Sequence, residues 1–139
     1  MGLNQKKSRN IITIIWLIFF AINLFILSFL YFDNWIYYED FMNGLKTISA
    51  TYGGYLGVII TYHFTKNIEA NQDSQYNVTS FWIGFFCSII WNAIIFVFLF
   101  RLTLGKGYFE NTIELISDMT SIFSWFVGGV IGYFFAKSS

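Results

Sequence analysis

The sequence predicts an all-α integral membrane protein of four transmembrane helices, forming one domain over residues 1–139. Three observations carry that prediction. Only 12% of the residues are charged, about half the share of an ordinary soluble domain. Hydrophobic residues make up 56%, and mean hydropathy is +0.58. Finally, four apolar runs each approach the roughly 20 helical residues that cross a ~30 Å hydrocarbon core. The 18 Phe, 9 Tyr and 5 Trp exceed what a small water-soluble core would bury, whereas in a bilayer they face acyl chains or sit in interfacial belts.

The first span covers 11–32 and has Asn23 near its middle. It is too long for a signal peptide and lacks a small-residue cleavage site, so it reads as a retained anchor. "MGLNQK" lacks the Ser or Thr that myristoylation requires. In the segment 33–44, Trp35, Tyr38 and Met42, with Leu45 just beyond, fall at helical spacing. They predict a short amphipathic piece in the outer headgroup layer, or an aromatic lip for an external ligand. The second span, 45–64, is the most polar. The loop 66–78 is polar, and its Asn77-Val-Thr79 glycosylation pattern falls on the inner side of the membrane. The third span, 79–103, holds Cys87 and Asn92; Gly105 and Gly107 flank Lys106 in the turn that follows. The fourth, 119–136, is short. No proline occurs anywhere, which removes the proline-broken helices common in secondary transporters. The runs do not alternate, as transmembrane strands would.

Orientation follows from the basic residues. Lys6, Lys7, Arg9, Lys66 and Lys137 fall on one side, and Lys46, Arg101 and Lys106 on the other. Positive charge is retained inside, so both termini are expected to be cytoplasmic, in a bacterial inner membrane. Six acids, Asp33, Glu39, Asp40, Glu110, Glu114 and Asp118, are then outside, with Glu69 and Asp73 inside. Net charge is zero, so nothing favours nucleic acid. The expected partners are the lipid bilayer and either further copies of the chain or another membrane protein.

The halves resemble each other. A slide of 71 residues aligns "YHFTK" (62–66) with "YFFAK" (133–137) and places Gly57 on Gly128. Two tandem hairpins related by a pseudo-two-fold along the membrane normal would give this pattern; coincidence in a biased composition is the alternative.

"GGYLG" (53–57) and "GGVIG" (128–132) lie within apolar helical runs and lack the Lys-Ser/Thr ending of a phosphate loop. Gly53 with Gly57, and Gly128 with Gly132, instead form GxxxG pairs that let helix backbones approach. Thr47, Ala50, Gly54, Gly57 and Thr61 continue one small face of the second span. Tyr52, Tyr55, Ile59 and Tyr62 occupy nearly the opposite one. Ser117, Ser121, Ser124, Gly128 and Gly132 form the small stripe of the fourth span. These stripes serve either packing inside the protomer or an oligomer axis and narrow polar path.

Asn23 and Asn92 lie near the midplane, where an unpaired amide is costly. They are expected to hydrogen-bond each other or neighbouring helices, or to contact a substrate or ion. Gly84, Ser88 and Asn92 give the third span a narrow polar face. His63, the single histidine, is placed to bond headgroups or a loop, or to sense pH. Glu114 and Asp118 form either a cation-attracting ring or a pair that compensates the helix dipole. Arg101 is placed to snorkel to the outer surface.

The lone Cys87 excludes an intramolecular disulfide and a multi-cysteine metal site. HExxH, GxSxG and paired intramembrane carboxylates are absent, so no catalytic residue, cofactor or metal is expected and an enzyme is not indicated. The Gly-Gly-x-x-Gly cluster resembles that of small four-span fluoride channels. Theirs lies in the first span before an arginine that is missing here, so no site residue carries over. Small flippases for lipid-linked sugars are similar in length and span number alone. The expected function is an oligomeric membrane protein forming a channel or pore. Alternatives are an accessory subunit that docks another membrane protein, and a small transporter or flippase with Asn23 and Asn92 as contacts.

Overall fold

The computed structural model describes residues 3–65, 75–76 and 78–135. It contains four long helices: α1 (Gln5–Phe32), α2 (Tyr38–Thr65), α3 (Val78–Thr103) and α4 (Phe109–Phe135). Each has 26 to 28 residues, about 40 Å at 1.5 Å per residue. α1, α3 and α4 are long and apolar enough to cross a membrane, consistent with a membrane location. α2 is as long, but its Gly, Tyr and Thr content leaves it less apolar than the other three. Outside the helices, β1 (Leu3–Asn4) pairs antiparallel with β2 (Gln75–Tyr76), a two-residue addition to the expected all-α fold. Lys66, Glu69, Asp73, Lys137, Ala136, Gly2 and Asn77, which enter the sequence expectations, lie outside the described residues.

The helices run past the apolar segments. α1 starts at Gln5 rather than residue 11, α2 at Tyr38 rather than 45, and α4 at Phe109 rather than 119. The separate interfacial piece expected over 33–44 is therefore mostly the first turns of α2. Only 33–37 connects α1 to α2. The start of α2 explains the shift: the Tyr37 amide meets the Asp40 carboxylate at 3.4 Å, the reach-back half of a capping box. Glu39 and Asp40 in the first turn also oppose the helix dipole. An apolar count responds to the lipid, whereas a helix ends where its backbone bonds are capped.

Both hairpins turn in the same way. At the end of α1, the Trp35 amide donates to the Leu30 carbonyl at 2.9 Å and Asn34 to Tyr31 at 3.1 Å. After α3, Lys106 donates to Arg101 and Gly105 to Leu102, both at 3.0 Å. Each is the paired-bond ending that places one residue in the left-handed region, here Asn34 (φ 60°) and Gly105 (φ 68°). These two residues are 71 positions apart. So are the ends of α1 and α3, and so are the starts of α2 and α4.

The bundle is ordered α1, α2, α4, α3 around its circumference, since α1 packs on α2 and α3, and α4 packs on α2 and α3. The β1–β2 pairing holds the N-terminal ends of α1 and α3 together, so these neighbours run in the same direction. A two-fold along the bundle axis would have set α1 diagonally from α3, and α2 from α4. The observed order lays the two hairpins side by side, related by a lateral shift, and corrects the expected symmetry. Below, "turn end" denotes the end carrying 33–37 and 104–108, and "terminal end" the other.

The core is most apolar towards the turn end, where Leu27, Leu30, Ile48, Leu99, Leu102 and Ile116 are buried. Two glycines allow close approach. A methyl group at Gly44 would lie 2.8 Å from Leu27 and 2.9 Å from Phe109, and one at Gly84 would overlap the Phe134 ring.

Candidate functional site

Thr47 of the α2 stripe and Ser117 of the α4 stripe border one outward-facing furrow between those helices. Its turn end is a cleft of about 380 Å³ lined by Asn43, Thr47, Glu110, Glu114, Ser117, Asp118 and Ile113. Glu110, Glu114 and Asp118 recur every four residues along α4, so one helix face presents three carboxylates. Glu114 and Asp118, expected to act as a pair, thus gain Glu110. The early start of α4 is what makes the third acid part of the same face.

Below the acids, hydroxyls stitch the seam. The Thr51 hydroxyl lies 3.0 Å from that of Thr120; one donates to the other, which in turn donates to a carbonyl of its own helix, Thr47 O or Ile116 O. The Tyr55 hydroxyl donates to Ser124 O at 3.3 Å. Ser117, Ser121 and Ser124 are exposed, as are Ala50, Gly53, Gly54, Gly57 and Thr61. Nothing lies within 4 Å of a methyl group built on Gly53, Gly54, Gly57 or Gly132, and at Gly128 only the Tyr55 ring comes near, at 3.9 Å. Gly53, Gly54, Gly57 and Gly132 thus make no close helix contact within the protomer, while Gly128 meets Tyr55 of α2. Close contact falls instead to Gly44 and Gly84, and the two GxxxG pairs are left on the outside of α2 and α4. The tyrosine face of α2 is the inward one, with Tyr52 and Ile59 fully buried.

At the terminal end, polar groups join three helices. Arg9 is only 5% exposed. Its Nε donates to the Phe134 carbonyl in the last turn of α4 at 2.6 Å, and Nη1 donates to the Tyr62 hydroxyl. The guanidinium carbon also sits 4.5 Å from the Tyr62 ring centre. His63, half-buried, places Nε2 2.9 Å from the Thr13 hydroxyl. That hydroxyl donates to Arg9 O at 2.9 Å, which uses its one proton, so His63 Nε2 carries the hydrogen and is the donor. The expectation of a headgroup or loop partner for His63 gives way to this α1–α2 contact.

The midplane amides do not pair with each other. Asn23 donates to the Tyr52 hydroxyl at 2.8 Å, and Asn92 to the Ser88 carbonyl one turn earlier at 2.7 Å. Both are fully buried. Comparison with protein-family models, curated proteins and solved structures finds no match.

Among the described residues no group of three or more His, Cys, Asp or Glu is arranged to hold a metal ion. Chemically the cleft can attract cations with its three carboxylates and offer the oxygens of Asn43, Thr47 and Ser117 beside them. Asn43 and Arg9 had no place in the sequence-level site. Asn43 falls in a segment whose sequence pattern is interfacial, and the sequence marks Arg9 only as a topological charge. Arg9 could have been flagged by its spacing of seven from Trp16, which puts both on one face of α1.

Proposed function

We propose that the chain is a non-enzymatic subunit of an oligomeric membrane channel, with the α2–α4 furrow facing a shared axis and cations entering at Glu110, Glu114 and Asp118. The observation that carries this reading is the furrow itself: small, hydroxyl-bearing and acid-mouthed, on a face that no helix of the protomer covers. Lipid offers no hydrogen-bond partners to such a face. Another protein surface or water does, and absent side chains allow close approach between copies. A four-helix body is too small to enclose a path alone, whereas a ring of carboxylates contributed by several copies concentrates cations.

On this reading α2 is the fourth crossing, and its lower hydropathy suits a helix whose outer face meets protein and water rather than acyl chains. The constant offset of 71 residues between the hairpins supports a tandem duplication. Lys6, Lys7 and Arg9 support a cytoplasmic terminal end with the acidic mouth outside, and we assign the membrane as a bacterial inner one. The same face would serve an accessory subunit that docks a different membrane protein.

The test is the mass of the protein in nanodiscs, with ion flux from liposomes containing it. Several copies per disc are expected, with cation-selective flux that falls when Glu114→Gln and Asp118→Asn are combined. A single copy per disc, or no flux at any voltage, rules the channel out. A single copy that binds one specific membrane partner through the furrow favours the accessory role.

A further inference from the structure

A second set of polar groups lies inside the bundle, away from the furrow. α1 places Arg9, Trp16 and Asn23 at intervals of seven residues, and all three are buried. They share the inward face of the helix. α3 contributes Ser88 and Asn92, one turn apart, with Trp91 beside them, also buried. Phe19 and Phe96 pack edge to face across these same-direction helices, with ring centres 6.3 Å apart. Trp16 precedes Phe19 by three residues and Asn92 precedes Phe96 by four. The two therefore lie at nearly one depth, about one residue's rise of 1.5 Å apart. Tyr52 joins from α2 through its bond with Asn23.

Five atoms in this group are buried without a hydrogen-bond partner: Trp16 Nε1, Trp91 Nε1, Asn23 Oδ1, Asn92 Oδ1 and Ser88 Oγ. Protein interiors leave few such groups, and a bilayer supplies no partner from outside. The inventory also selects the occupant. Both indoles can only donate, both amide oxygens accept, and the serine hydroxyl does either. An apolar molecule would pair none of them, an anion only the donors, and a cation only the acceptors. Water pairs all five.

We propose that a short column of water occupies the bundle interior, held by Trp16 and Asn23 of α1 and by Ser88, Trp91 and Asn92 of α3. Trp16 and Asn23 are separated by about 10 Å of helix, a length that accommodates several waters in hydrogen-bonded file. Beyond Asn23 the apolar layer of Leu27, Leu30, Leu99 and Leu102 closes the interior, so the column ends there. It is enclosed within the protomer and shares no lining residue with the acidic cleft between α2 and α4.

The test uses full-length protein in nanodiscs with 15N-labelled indoles and reads magnetisation transfer from water to the five tryptophan Nε1–H groups. Replacing the exposed Trp35, Trp82 and Trp125 by Phe, one at a time, identifies their signals and leaves Trp16 and Trp91 by elimination. Both interior indoles are expected to receive transfer at a rate comparable to exposed Trp35. Combining Ser88→Ala with Asn92→Leu is expected to abolish transfer at Trp16 while leaving Trp35 unchanged. Absence of transfer to both interior indoles in the unmodified protein, with Trp35 giving full signal, overturns the proposal without requiring any core variant to fold. A saturable shift of both interior signals on adding chloride overturns it as well, by assigning the site to an anion.

Discussion

Gly84 and Gly54 are both helical glycines, and the surroundings of each decide what an added methyl does. At Gly84 it meets the buried Phe134 ring, so Gly84→Ala is expected to cost about 1–3 kcal/mol through overpacking. Gly54 faces open space, and Gly54→Ala removes only the flexibility penalty, a gain of about 0.5–1 kcal/mol for the protomer fold. Thermal unfolding in detergent should therefore move in opposite directions for the two variants. A fall for both would mean that Gly54 is covered, by the protomer or by another copy. The Asn23–Tyr52 bond admits a similar sign test. Tyr52→Phe leaves the Asn23 amide unpaired in the core at a cost of about 1–3 kcal/mol, whereas Tyr52→Phe with Asn23→Leu removes both partners and should recover much of that loss. A double-mutant cycle measures the coupling. Additive losses would show that the bond contributes nothing.

At the scale of elements, α4 depends on Arg9. Of the three most apolar helices it is the least enclosed by the others, and its last turn is tied to α1 by the guanidinium donating to the Phe134 carbonyl. That contact satisfies a carbonyl the helix leaves unpaired and sets a cation at the negative end of the dipole. Arg9→Ala is expected to cost about 1.5–3 kcal/mol, the range for hydrogen bonds to charged groups. Lysine should restore little, since it lacks the planar fork that reaches Phe134 and Tyr62 together. Hydrogen exchange provides the check: protection lost by Arg9→Ala should concentrate in the last turns of α4 and α2, not in α3. Uniform loss would mean that Arg9 supports the bundle generally.

For the whole molecule, the side-by-side order of the hairpins puts α2 and α4 together on one flank, and that adjacency sets Asn43 and Thr47 beside the three acids of α4. If copies meet there, cysteines in the furrow should cross-link between chains. In a Cys87→Ser background, Gly54→Cys with Ser121→Cys is expected to give a disulfide-linked dimer on non-reducing gels, as close backbone approach brings Cα atoms within bonding distance. Ile90→Cys, on the exposed face of α3, should not. Equal cross-linking at both places would indicate random collision rather than a defined interface.

Composition and the length of the apolar runs were enough to predict long membrane-compatible helices, because the cost of burying charge in lipid is written into residue type. Periodicity showed that α2 has a small face and a tyrosine face, and a slide of 71 residues aligned "YHFTK" with "YFFAK". Sequence alone left undetermined which face of α2 turns inward. Both faces are chemically able to pack, and the choice depends on Trp16 and Arg9 accepting tyrosine rings from across the bundle. Nor did it contain the order of the helices, which follows from how α1 and α3 lie against each other. Ends of helices, too, were settled by caps at Asn34, Gly105 and Asp40 rather than by hydropathy. Local patterns record what each residue can tolerate. Only the packed bundle decided which tolerances were used, leaving the glycines outside and five polar atoms within.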